Sequence, residues 1–545
     1  MSKFALLLHP VYHHPMPQGF DYIVIGAGSA GCVVAARLSQ DPAVSVLLLE
    51  AGGPNDDARI KTPAKFGTLV NTKFDWGFRT CAQTELHNRQ IYFPRGRTIG
   101  GTGSINYMIY LRGHPSDFDY WSQLGCEGWG WNGVLPYFKR SEGNRKHNDD
   151  LHGTKGPVVV DDQSERSPLT EIFIDACQDT GIPFNPDLNG AEIEGCGYFP
   201  ATLENNERCS SAAAYLKPAG ERKNLTTETG AAVLRIVMKG SRAVGVDYLK
   251  NGQSHHAHAD AEIVLCAGAI GSPQLLQLSG IGPAALLKSA GVEVLHDLPG
   301  TGENLQDHLH YRSRWEITKP LTFFGRSREE LEDVQRRYDT DRSGALTTNH
   351  FESGAFLNSR SGLAAPDIEL LMIPFFISMQ APELRPPDRH GFTISGFPTR
   401  PQSRGRVSIV SNDPFDRPVI DPGYLTEPDD LRLMVEIVKR TRDIVASEKF
   451  DDVRGREISP GSKAQSNAEI IEDIRAISST SYHPVGSCKM GSDEMAVVDA
   501  QLRVRGITSL RIADASIMPE MITGHPNAPT IMIAERAADF LLSEA

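Results

Sequence analysis

Residues 478–491 read SSTSYHPVGSCKMG and set one histidine, His483, between Tyr482 and Pro484. A second polar group sits near the C terminus in TGHPNAPTIMIAERAADF, where His525, Pro526 and Asn527 precede an Ala- and Ile-rich run. A neutral imidazole titrates near working pH and can take a proton from a hydroxyl. An asparagine can donate to an oxygen but cannot accept its proton. Pro484 and Gly486 fix and thin the backbone after His483, as fits a chain passing close to a planar group. On residue types alone, a structural role for His483 carries more weight than a catalytic one.

A nucleotide site is written more openly. Gly26, Gly28 and Gly31 form GxGxxG directly after the strand-like DYIVIGAGSAG and at the mouth of an Ala-rich helix expected over about 30–39. Only glycine lets the backbone approach a pyrophosphate there and face it with a helix N-terminus. Glu50 ends the next apolar strand, SVLLLEAGG, where a carboxylate accepts from a ribose diol and repels a 2′-phosphate. These residues imply an adenine dinucleotide and leave FAD and NAD open. Two further glycine-rich stretches stand beside them. GRTIGGTGSINYMIYLRGHPSDFDYW runs from Gly96 to Trp121, with Arg97, Ser104 and Asn106 as its polar groups, and GAIGSPQLLQLSGIG runs from Gly268 to Gly282.

Elements of two kinds must position these groups. At 545 residues the chain exceeds one ordinary domain, so a large α/β body with a second domain is expected. VLRIVMKGSRAVGVDYL reads as a hairpin and AEIVLCAGAI as a strand. SLRIADASIMP followed by APTIMIAERAADFLL returns to strand then helix, so the two ends of the chain belong to one discontinuous nucleotide-binding body. Its expected parts are 20–160, 195–315 and 475–545. Residues 161–194 and 316–474 are assigned to the second domain, with strands in IELLMIPFF, GFTISGFPT and GRVSIV and a helix over about 429–446. Residues 71–131 read as loops lying over something, and residues 1–19 as a tail carrying His9, His13 and His14. In the last helix Pro529 suits the first helical position, and Ile533, Ala537, Phe540 and Leu541 space an apolar face. Its positive end would favour negative charge at the site.

Composition excludes other classes. Lys plus Arg is 55 against 68 for Asp plus Glu, a net charge of −13, and no basic stripe suggests nucleic acid. The eight cysteines, at 32, 81, 126, 177, 196, 209, 266 and 488, form no CxxC pair and no metal spacing, which suits a reducing compartment. No stretch approaches the roughly 18 apolar residues of a spanning helix. A cytoplasmic protein is expected, or one lying against the inner membrane without spanning it.

The two long glycine-rich stretches resemble the signatures of the glucose-methanol-choline (GMC) flavoprotein oxidoreductases, and the resemblance runs from about Tyr22 to Leu542. FPRGRTIGG, DLPGTGENLQDHL and RIADASIMP resemble the bacterial primary-alcohol and choline dehydrogenases of that family. The fold implied is a Rossmann-like FAD-binding domain joined to a substrate domain built on an antiparallel sheet flanked by helices. FAD would be held by Gly26, Gly28, Ser29, Ala30, Gly31, Glu50, Ala51 and Arg97, and by the loop of Gly100, Gly101, Gly103, Ser104, Asn106, Tyr107 and Met108. Val233 would lie near the adenine, and Asp514 and Ala515 near the diphosphate, with Ala267, Gly268, Pro526, Asn527 and Thr530 completing the set. Some members bind FAD covalently through a histidine where this chain has Ile105, so dissociable FAD is expected. His483 aligns with the family's catalytic base and Asn527 with its second catalytic position.

Tyr107, Glu352, Tyr482 and His525 are the expected substrate-pocket residues, His525 as rim or outer support. Glu352 aligns with a glutamate that binds the cationic head in choline oxidases, although other alcohol dehydrogenases of the family carry it too. The activity implied is oxidation of a primary alcohol to the aldehyde by hydride transfer to flavin N5, with electrons passed to a quinone or another carrier. An oxidase using O2 on choline-type, furan or aryl alcohols is the alternative. A photodecarboxylase-type lyase is remote, because those enzymes lack a histidine at the His483 position and carry cysteine where this chain has Thr399.

Overall fold

The computed structural model describes residues 19–322, 326–376 and 389–543. Of the expected tail only Gly19 falls inside, and His9, His13 and His14 lie outside the described residues. Strand Gly19–Ile25 runs in a seven-stranded sheet, parallel to Val46–Glu50 on one side and to Gln253–Leu265 on the other. Val46–Glu50 is buried along its whole length, which is why VLLLE shows no polar alternation. Leu225–Thr229 and Leu510–Ile512 add further parallel pairings, and the expected hairpin is present as Ala231–Lys239 against Arg242–Lys250.

Helix Ser29–Leu38 follows the first strand, and the terminal helix Asn527–Ser543 packs on it. Between them the buried carboxylate of Glu535 accepts from Arg37 Nε and Nη2 at 2.9 and 2.7 Å and from the Tyr215 hydroxyl at 2.6 Å, and it pairs with Arg140 at 2.8 Å. Removing one partner from such a buried ion cluster strands the remaining charge, so the cluster pins the helix against sliding. Val24, Leu48, Ile531 and Ile533 share one core, so the two ends of the chain do return to the same body. The terminal helix begins at Asn527, two residues before Pro529, which makes Asn527 its first residue.

A second seven-stranded sheet is antiparallel, with the order Arg454–Ser459, Leu309–Ile317, Gly391–Pro398, Ile368–Ile373, Ser353–Leu357 and Gly195–Tyr198, and with Ser479–Thr480 beside Leu309–Ile317. Its two faces divide by strict alternation. Tyr311, Leu370, Met372 and Ile394 pack beneath helices Pro428–Val445 and Pro168–Asp179, whereas His310, Arg312, Leu371, Ile373, Ser395 and Phe397 face a cavity shared with the first sheet.

Three expectations need correction. Strands Gly195–Tyr198 and Leu309–Ile317 belong to the antiparallel sheet, so the seam between the two sheets does not follow the 195–315 boundary. GRVSIV contributes Gly405–Ser408 to a separate three-stranded sheet. Within 71–131 there is a full helix, Pro115–Gln123, started by Pro115 and by a reciprocal cap in which Asp117 accepts from His114 N at 2.8 Å. No helix among the described residues is long and apolar enough to cross a membrane.

Candidate active site

A cavity of about 560 Å³ separates the two sheets, and it gathers the glycine motifs, the two histidine-bearing segments and the inner face of the antiparallel sheet. A Cβ at Gly31 would sit 1.8 Å from the carbonyl oxygen of Gly26, and one at Gly101, whose φ is +52°, would sit 2.7 Å from the Cα of Gly28. The two glycine stretches therefore touch, and side chains there would close the path between them. Glu50 accepts from Ala27 N at 2.9 Å and from Gly52 N at 2.7 Å, so both carboxylate oxygens are aimed by backbone. Burial pushes its acid up to about 7 against the pull of those two donors. Asp514 accepts from Gly268 N at 2.8 Å, Ser272 Oγ at 2.6 Å and Ser516 N at 2.8 Å, which draws the mouth of helix Gly268–Leu278 onto the cavity wall. The cradle fits a dinucleotide: glycine contacts along the middle, an acceptor for a diol at Glu50, and a helix mouth at each glycine motif.

Most of the expected cofactor residues line this cavity: Gly26, Gly28, Ser29, Ala30, Glu50, Ala51, Arg97, Gly101, Asn106, Tyr107, Met108, Val233, Ala267, Gly268, Asp514, Ala515, Pro526, Asn527 and Thr530. Gly31, Gly100, Gly103 and Ser104 stand behind the wall. Gly100 N donates to Ala27 O at 2.7 Å and Ser104 Oγ to Ile99 O at 2.7 Å, so this part of the loop holds its own shape.

Around His483 the arrangement is chemical. Tyr482 adopts a left-handed backbone with φ of 67°, which costs a non-glycine residue about 1–2 kcal/mol. His483 N then donates to Asp307 Oδ1 at 2.7 Å, while Asp307 Oδ2 accepts from Thr480 Oγ1 at 2.5 Å and from the Tyr424 hydroxyl. Burial raises the Asp307 acid to about 6, held back by those hydrogen bonds. On the ring side, His483 Nδ1 lies 2.9 Å from His308 Nδ1, and His308 Nε2 lies 2.7 Å from the carbonyl oxygen of Thr399.

That chain of contacts fixes the tautomers. A carbonyl only accepts, so His308 carries its proton on Nε2. Burial depresses His308 to about 3, so the ring is neutral and its Nδ1 is a lone pair. His483 must therefore donate from Nδ1, which leaves its Nε2 bare. Burial above all, with the neighbouring Arg95 cation adding to it, holds His483 well below the usual imidazole range, so the bare nitrogen is not lost to protonation.

Asn527 is oriented in the same way. Its Oδ1 accepts from Ser29 Oγ at 2.7 Å, which leaves its amide N–H groups to donate. His525 is not at the rim: it is 8% exposed, its ring centroid lies 4.7 Å from that of His483, and its Nε2 meets Glu369 Oε1 at 2.9 Å. Tyr107 stacks on Phe351 at 4.3 Å and meets Tyr482 edge-on. Glu352 is a correction. It does not line the cavity, and its carboxylate is spent on Ser167 N at 2.7 Å, Thr170 Oγ1 at 2.6 Å and Thr348 Oγ1 at 3.1 Å.

Sequence reasoning missed Asp307, His308, His310, Arg312 and Glu369. A signal existed in DHLHYR, where His308, His310 and Arg312 recur at period two.

A dinucleotide cradle of parallel strands, roofed by an antiparallel sheet that carries a tautomer-fixed histidine, defines a flavoprotein oxidoreductase of the two-domain type. Residues 20–310 and 401–534 match the N- and C-terminal models of the GMC oxidoreductases, and the chain belongs to that family. It is 42% identical over 533 residues to the oxygen-dependent choline dehydrogenase of Vibrio vulnificus (strain YJ016), covering 97% of this chain and 95% of that one. It is 40% identical to the alcohol dehydrogenase [acceptor] of Pseudomonas putida, covering 96% of each. The crystal structure of pyridoxine 4-oxidase from Mesorbium loti superposes with a TM-score of 0.87 at 35% identity, covering 95% of this chain and 98% of that one. The protein is an FAD-dependent oxidoreductase acting on CH–OH groups.

The resemblance-based expectation about FAD attachment has a direct check. Ile105 lines the cavity and offers no nucleophile. Acid or heat precipitation is expected to release all the flavin into the supernatant, and yellow colour retained by the washed pellet would refute dissociable binding.

Proposed function

We propose that the enzyme oxidises a primary alcohol to the aldehyde, with His483 as general base and Asn527 as donor to the substrate oxygen, and passes the electrons to a quinone or another carrier. Bound FAD would supply the hydride acceptor at N5. The observation that carries the reading is the His483–His308–Thr399 chain, because it leaves a bare Nε2 on a half-buried, neutral imidazole that lines the cavity. His483 Nε2 takes the hydroxyl proton. Asn527, held by Ser29, donates to the oxygen as negative charge grows there, and the N-terminal end of its helix favours the same charge. The antiparallel sheet and Tyr107 with Phe351 exclude water from above.

The names of the two sequence relatives support alcohol chemistry while differing in acceptor. The test is anaerobic addition of alkanols, benzyl alcohol, a furan alcohol and choline to the purified holoenzyme, with the visible spectrum recorded. Bleaching by at least one member is expected, and a yellow protein that none of them bleaches would overturn the reading. Stoichiometric peroxide on admitting air would assign the oxidase alternative.

A further inference from the structure

Arg312 is a cation without an answer. It stands on strand Leu309–Ile317 opposite Ser395, on the face turned to the cavity, and both residues line it. Its Nε is buried without a hydrogen-bond partner, and among the described residues no carboxylate pairs with its guanidinium. Two residues earlier on the same face, His310 is 4% exposed; its Nδ1 meets Ser481 Oγ at 3.0 Å and its Nε2 is buried with no partner among the described residues.

The carboxylates of this region are already committed. Asp307 holds Tyr424, Thr480 and the backbone of His483, Glu352 holds Ser167, Thr170 and Thr348, and Glu369 meets His525 through Oε1 while its other oxygen is buried off the cavity wall. Arg312 is half-buried, and its buried Nε–H without an acceptor costs free energy unless a ligand meets it; the ligand a guanidinium meets best is a carboxylate. Beside it, the stacked Tyr107 and Phe351 offer a flat apolar wall. Among the described residues, no carboxylate of the antiparallel sheet lines this end of the cavity to meet a quaternary ammonium.

We propose that Arg312, flanked by His310, binds an anionic group carried by the alcohol substrate, so that the preferred substrates are hydroxyl compounds bearing a carboxylate on a planar or apolar frame. This rests on the reading of the His483 end of the cavity as the alcohol site. It makes Arg312 a specificity-determining residue rather than a catalytic one.

The probes are benzoate and benzyltrimethylammonium, which cannot be oxidised as alcohols, titrated into the oxidised holoenzyme and followed by the flavin difference spectrum. Benzoate is expected to bind at least about tenfold more tightly than benzyltrimethylammonium, and Arg312→Gln to weaken benzoate about tenfold without moving the other probe. Arg312→Lys, which keeps the charge and loses the fork, is expected to fall between them. Equal affinities in the wild type, or tighter binding of the cation, would overturn the proposal without any variant, as would an Arg312→Gln enzyme that binds benzoate unchanged. Binding needs no turnover: benzoate selectivity in an enzyme that no alcohol reduces would keep the Arg312 site and remove the alcohol reading. Reduction by alcohols without that selectivity would do the reverse.

Discussion

Replacing His483 with alanine is expected to leave FAD bound and to slow alcohol-dependent flavin reduction about 10³-fold, the scale on which a positioned general base contributes. FAD should stay because none of the groups that shape the glycine cradle belongs to His483, and the backbone N–H that anchors residue 483 to Asp307 survives the change. The rate should fall because the bare Nε2 that the His308 contact fixes is lost from its place. Asn527 has no basic nitrogen, His308 Nδ1 is turned toward residue 483 rather than lining the cavity, and His525 is engaged by Glu369. Anaerobic stopped-flow reduction with the best alcohol of the panel gives the rate constant, and the visible spectrum gives the flavin content. A variant that keeps its flavin and is reduced at the wild-type rate would remove His483 from the chemistry.

What the sequence made legible was what a short stretch of chain contains in itself. The glycines of Gly26-x-Gly28-x-x-Gly31 and the strand-end Glu50 belong to one βαβ unit, so their spacing alone brings them together. His483 and Asn527 were found through resemblance, and their residue types already suited a base and a donor. The support of the site was not legible, because it depends on the register between distant strands. His308 reaches His483 across 175 residues and Glu369 reaches His525 across 156, and no local pattern encodes which strands of the antiparallel sheet lie side by side. Glu352 misled for the same reason. Its neighbours in sequence, Phe351 and Phe356, belong to the aromatic cluster that walls the cavity, but its own carboxylate turns to a helix start at Ser167, 185 residues away. Helix Pro115–Gln123 is spelled at its start by Pro115 and Asp117, but the glycine and aromatic residues on either side of it carry the pattern of a loop.

The second large effect is expected at His308, which acts through one hydrogen bond to His483. His308→Phe preserves volume and the stacking on Phe397, whose ring centroid lies 4.5 Å away at an interplanar angle of 22°. It removes the lone pair that receives His483 Nδ1–H and the donor that satisfies Thr399 O. A buried donor left without its acceptor costs about 1–3 kcal/mol, and His483 escapes that cost by moving its proton to Nε2 or by turning its ring. Either response spoils the base, since an imidazole protonated on the nitrogen that faces the substrate cannot accept the hydroxyl proton. The rate constant for reduction is therefore expected to fall about 10²-fold, the lower end of what a positioned general base contributes, with the dissociation constant of the alcohol unchanged. His308→Gln separates this account from simple packing. Glutamine loses the ring and its stacking but can accept from His483 Nδ1 through Oε1 and donate to Thr399 O through Nε2, so it should recover activity to within about tenfold of wild type. The same anaerobic reduction assay decides the matter: a phenylalanine variant faster than the glutamine variant would mean that His308 acts by filling space, and the tautomer argument for the base would fall with it.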